Sequence, residues 1–165
     1  MTHMVRFRKL AFTIAIFLAA TFFIPSAWAT DPPADLCSLL TAAEVSKTLG
    51  RTYDPPEKSV APSPYMNTPE GTDCNYSAKG SKLWLGAYVD PSAAAATEMF
   101  AKLGEFYSPQ TPVTDLGDEA YFDPQHGLHI RKGKVRFFLN LENVDFTPKV
   151  EKQLKELAGR IAGRL

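Results

Sequence analysis

Residues 83–89 alternate strictly. Leu83, Leu85, Ala87 and Val89 fall on one side, and Trp84, Gly86 and Tyr88 on the other. Period two predicts a strand with two faces of different texture. Cys74-Asn75-Tyr76 opens the sheet just ahead of it. The pattern then changes to a helical period: Met99, Phe100, Leu103, Phe106 and Tyr107 share one stripe. Asp90-Pro91 precedes that helix as a cap and first-turn proline, and Ser108-Pro109 closes it. Three strands are expected next, over 119–122, 128–131 and 134–141. A two-residue turn at Lys132-Gly133 sets Ile130 opposite Val135 and Leu128 opposite Phe137. The same register sets His129 opposite Arg136 and Arg131 opposite Lys134.

Two more helices frame these elements. Thr41-Ala42-Ala43-Glu44 is a capping box, Leu40 and Val45 form a hydrophobic staple across it, and Gly50 ends the helix. At the other end Thr147-Pro148 starts a helix whose stripe is Val150, Leu154, Leu157, Ala158, Ile161 and Leu165. Residues 53–71 hold Pro55, Pro56, Pro62, Pro64 and Pro69, and read as a loop. Strand runs between isolated helices predict an α+β domain, with a mostly antiparallel sheet of about five strands and about three helices.

The first 29 residues do not fit that domain. Arg6, Arg8 and Lys9 precede an apolar run over 10–24, and Ala27-Trp28-Ala29 offers small residues where a signal peptidase cuts. The run is shorter than the roughly 20 residues of a spanning helix, and Pro25 follows it. The sequence therefore predicts a signal peptide at 1–29 and a single domain at 30–165, periplasmic or secreted, with no stable membrane anchor after cleavage. The whole chain has 18 basic and 18 acidic residues; loss of the three basic leader residues leaves a net charge of −3. No bulk attraction to nucleic acid follows from that balance.

Export changes the meaning of the cysteines. Cys37 and Cys74 are the two cysteines of the chain, and in an oxidising compartment they are expected to pair. Closing a 37-residue loop stabilises the fold by roughly 3–4 kcal/mol.

Several segments, taken in order, resemble a group of small exported bacterial domains of unknown function, many of them actinobacterial lipoproteins. The resemblance lies in Leu36-Cys37-Ser38-Leu39-Leu40-Thr41-Ala42-Ala43-Glu44-Val45 with Leu49-Gly50, in Cys74-Asn75-Tyr76, in Leu116-Gly117-Asp118-Glu119-Ala120-Tyr121-Phe122 and in 128–133. It implies an α+β sandwich with a Cys37–Cys74 bridge, and it implies no activity. The chain departs from the lipoprotein members in lacking a lipidation cysteine.

Candidate chemistry is sparse. His126-Gly127-Leu128-His129, with Asp123 three residues earlier, has zinc-ligand residue types, but its spacing crosses a turn and favours a solvated loop. No nucleophile or phosphate-loop motif occurs, no cofactor is implied, and no catalytic or metal residue is assigned. The second face of the sheet is more informative. Trp84, Tyr88, His129, Arg131 and Arg136 all point there, giving an aromatic and basic surface suited to a protein partner or a small anionic or planar ligand. If that face is exposed, Arg136→Ala changes stability little. The expected function is an exported binding or interaction module. A small hydrolase or metal-dependent enzyme and a structural envelope protein are the alternatives.

Overall fold

The computed structural model describes residues 31–62 and 69–165. The expected signal peptide lies outside the described residues, as does the part of the Pro-rich segment at 63–68. Seven strands form one antiparallel sheet: β1 (Glu57–Ala61), β2 (Gly71–Ala78), β3 (Ser81–Val89), β4 (Thr111–Pro112), β5 (Glu119–Phe122), β6 (Leu128–Lys132) and β7 (Val135–Glu142). Their spatial order is β1-β2-β3-β7-β6-β5-β4. Among the described residues three α-helices accompany them: α1 (Ala42–Leu49), α2 (Ala93–Phe106) and α3 (Pro148–Ala162). The class is the expected α+β, and the described residues hold seven strands, not five.

Both additional strands are edges. β1 lies inside the segment read as a loop, because Glu57, Lys58 and Ser59 carry no strand signal and the prolines flank its pairing with β2. Its charged residues suit an edge, where a bare apolar strand would invite pairing with another chain. β4 contains Pro112, which has no N–H to give and is tolerated only at a sheet edge or bulge.

The first face of the sheet carries the main core. Leu83, Leu85, Leu128, Ile130 and Leu139 are fully buried there, against Leu154, Leu157 and Ile161 of α3 and Val45 of α1. The capping box forms as the sequence predicts. The Thr41 N–H donates to Glu44 Oε2 at 2.9 Å, and the Glu44 N–H donates to Thr41 Oγ1 at 3.3 Å. Gly50 takes the left-handed conformation that ends α1, and Thr147 caps α3 with Pro148 in its first turn. The Cys37–Cys74 disulfide ties a short 3-10 turn, Leu36–Leu39, to β2. Among the described residues, no helix is long and apolar enough to cross a membrane.

Two local expectations are corrected. The β6–β7 turn is Gly133-Lys134, one residue later than expected, so His129 faces Phe138 and Arg131 faces Arg136. Gly133 has φ +56 at the first turn position, where a two-residue hairpin with glycine first requires it. The shift is by two in register, so every side chain keeps its predicted face. Second, α2 is capped by Ser92, whose hydroxyl accepts from the Ala95 N–H at 3.1 Å. Asp90 is not the cap. It is buried and has another partner.

Candidate functional site

α2 packs across the second face over β6 and β7. It does not fill the space beneath it. A cavity of about 270 Å³ remains between helix and sheet. Its sheet wall is made by Trp84 and Tyr88 from β3, His129 from β6, and Arg136, Phe138 and Asn140 from β7. Phe100, Leu103 and Tyr107 close it from the helix side, with Asp123 and Gln125 from the β5–β6 loop.

Two glycines shape the floor. A Cβ on Gly86 would come within 2.2 Å of the Phe138 ring, so that ring lies directly over β3. There it meets Trp84 edge-on, with centroids 4.6 Å apart. A Cβ on Gly71 would come within 2.6 Å of the Tyr88 ring. A glycine flanked by Trp84 and Tyr88 in an alternating strand is the signal that another ring crosses the strand at that point. Trp84 is held by its indole N–H, which donates to Asp73 Oδ1 at 2.8 Å.

The buried ionisable groups of the cavity are paired behind its surface. Arg136, 3% exposed, donates from Nε to Asp90 Oδ2 at 2.5 Å and from Nη2 to Asp90 Oδ1 at 3.1 Å. Its guanidinium carbon lies 5.1 Å from the centre of the Tyr88 ring. His129 Nε2 and Asp123 Oδ2 are 2.8 Å apart, and the imidazole stacks on Tyr121 at 4.9 Å. Asp123 Oδ1 accepts from the Gln125 and Gly127 N–H groups, each at 2.8 Å. Burial pushes the Asp123 carboxyl up, but the hydrogen bond from His129 and those two amides outweigh it and hold it below the usual carboxylate range. Burial likewise raises the Tyr88 phenol, and the Asp73 charge adds to the effect.

Four of the five residues expected on the binding face, Trp84, Tyr88, His129 and Arg136, therefore line one cavity. Arg131 is not among its lining residues. Its guanidinium is taken by Asp118, at 2.9 Å, and Glu119, at 2.8 Å. The expectation of an exposed basic surface is corrected: the arginines of adjacent strands face each other, and each carries its own carboxylates. Acids distant in sequence from the arginines supplied the charge, which a strand pattern cannot show. His126 does not join His129. It stacks on Phe146 at 4.1 Å, and among the described residues no three histidine, cysteine or acidic side chains converge as a metal set.

Sequence reading missed the cavity's helix wall, because Phe100 and Leu103 look like any core stripe. It also missed the roles of Asp90 and Asp73. The Asp123–His129 proximity was visible only as part of a metal pattern.

No protein-family model and no curated protein matches the chain. Among solved structures, it is similar to the extracellular domain of PknH from Mycobacterium tuberculosis, with a TM-score of 0.53 and 13% sequence identity. The likeness covers 77% of this chain and 92% of that one. At this identity it is a likeness of fold.

Proposed function

We propose that the chain is an exported module, delivered to the periplasm or secreted, that binds a small planar ligand in the cavity between α2 and the second face of the sheet. One observation carries the reading: five aromatic rings, those of Trp84, Tyr88, Phe100, Tyr107 and Phe138, surround unfilled space that also reaches buried, paired ionic groups. An ordinary second core would be closed by the helix, because interiors are packed to crystal-like density. Concave, mostly apolar space with a few placed polar groups is what small-molecule sites share. The disulfide, the leader pattern and the fold likeness to an extracellular domain support export. The Asp123–His129 pair orients an imidazole, but this alone does not make a nucleophile, so binding is favoured over hydrolysis.

The test is a screen of planar compounds by NMR, following the Trp84 indole N–H, with Leu103→Phe as control. Leu103 is half-buried on the helix wall. A larger side chain there fills the cavity and abolishes ligand-induced shifts at Trp84. Compounds that bind while leaving Trp84 unmoved, and that ignore Leu103→Phe, would place binding elsewhere and end this reading.

A further inference from the structure

The charges around the cavity specify more than its shape does. This step rests on the cavity being the binding site, as proposed above, and concerns the class of ligand it takes. Arg136 is the cation buried on the wall, and its charge is balanced by the bidentate contact with Asp90, itself 3% exposed. His129 is held against Asp123. Asp73 stands behind Trp84. An anionic ligand entering this space would meet no unbalanced cation among these groups and would approach Asp123. A cationic ligand would approach the Arg136 guanidinium. An anion would lose its hydration without a free counter-charge, which is costly in an apolar site, and a cation would have to sit beside the Arg136 guanidinium.

One donor of the buried charged groups remains open. Arg136 uses Nε and Nη2 on Asp90, and Nη1 has no acceptor among the described residues. The side chain lines the cavity and lies against Tyr88. A donor kept at the wall by a carboxylate behind it is suited to a neutral oxygen acceptor. Such a bond is assisted by the positive charge on the donor side and requires no charge on the ligand.

Size adds a second constraint. An apolar cavity of about 150 Å³ takes one benzene ring. The volume here, about 270 Å³, corresponds to roughly two fused rings on that scale. We infer that the ligand is an uncharged, planar, two-ring compound carrying a carbonyl-type oxygen that accepts from Arg136 Nη1, and that the cavity discriminates against anions and cations of the same shape.

The test uses four probes of one size on the purified protein: coumarin, naphthalene, 2-naphthoate and 2-naphthylmethylammonium. Calorimetry gives affinity, and the Trp84 indole resonance gives location. Coumarin is expected to bind about tenfold tighter than each of the others, the yield of one hydrogen bond to a charged donor. Arg136→Lys keeps a cation for Asp90 but removes the second donor arm. It is expected to bring coumarin down to the affinity that naphthalene has for the same variant. Should Arg136→Lys fail to fold, the four probes on the native protein decide alone. Tightest binding by 2-naphthoate or the ammonium probe, or equal binding of coumarin and naphthalene, with Trp84 shifted in each case, overturns the ligand class and leaves the cavity reading standing. If no probe moves Trp84, the cavity reading falls and this inference falls with it.

Discussion

Arg136 of β7 closes on both carboxylate oxygens of Asp90, 46 residues away in sequence, and each side chain is only 3% exposed. The pair fixes the start of α2 to the centre of the sheet, since Asp90 sits between β3 and the Ser92 cap. Removing one partner leaves an uncompensated buried charge, at a cost of about 3–5 kcal/mol. Asp90→Asn and Arg136→Ala are each expected to lose stability in that range by chemical denaturation, and the double variant is expected to lose less than the sum. Losses below about 1 kcal/mol for both single variants would show that water reaches the pair and screens it.

The segment 116–120 has a second structural dependence. Gly117 has φ +66, and a Cβ there would lie 2.5 Å from the Arg131 carbonyl oxygen. Asp118 follows, accepting from the Gly133 N–H at 2.7 Å and from Arg131 Nη1 at 2.9 Å. The glycine lets the chain come close enough for the aspartate to clamp the β6–β7 turn. Gly117→Ala therefore combines left-handed strain with a backbone clash and is expected to cost at least about 2 kcal/mol. Gly133→Ala meets open space and carries the φ penalty alone, about 1–2 kcal/mol. Thermal melts of the two variants check the order; equal losses would remove the close-approach argument.

Much of this architecture was legible in local pattern. The β3 alternation and the α3 stripe assign faces by period, and Thr41 with Glu44 fixes the start of α1 within four residues. What stayed hidden depends on residues distant in sequence. Asp90-Pro91 satisfies the rules for a helix start, and only the fold shows that its carboxylate belongs to Arg136. The hairpin turn was misplaced by one residue because both registers sort the faces identically, and Gly133 decides between them through its backbone. β1 was hidden because an edge strand on the solvent side needs no apolar alternation. The same logic applies to the cavity: four of its residues were readable as one sheet face, while its depth depends on how far α2 stands off.

The termini of the domain are joined by charge. Arg164, just beyond α3, donates to both oxygens of Glu44, with Nη1–Oε2 at 3.1 Å, and to the Leu39 carbonyl at 2.6 Å. The Arg164 hydrogen bond, aided by Thr41 and opposed by burial, holds the Glu44 carboxyl down at about 2. A depressed folded-state pKa gives stability that is full above the unfolded value near 4.5 and is lost as pH falls from there toward 2. Glu44→Gln retains an acceptor for the capping box and removes the charge. Because Arg164 is 40% exposed, the expected loss at neutral pH is under about 1 kcal/mol. The clearer signature is a flatter stability profile between pH 4.5 and 2. An unchanged acid slope would mean that other carboxylates, Asp123 among them, dominate acid unfolding.

Gly86 links the fold to the cavity most directly. The ring of Phe138 occupies the place of its missing side chain, and Trp84 then packs edge-on against that ring. Gly86→Ala puts a methyl group where the ring lies, so Phe138 must swing toward α2, into the space a ligand would use. Overpacking of this kind costs about 1–3 kcal/mol. The variant is expected to remain folded, with its melting temperature lowered, and to lose planar-ligand binding through a filled cavity. Gly86→Ala with Phe138→Leu is the matched repair: the smaller side chain makes room for the methyl group and restores both stability and access in part. If Gly86→Ala binds ligand as well as the parent protein does, Phe138 has another rotamer that leaves the cavity open, and the floor of the site is not set by this glycine.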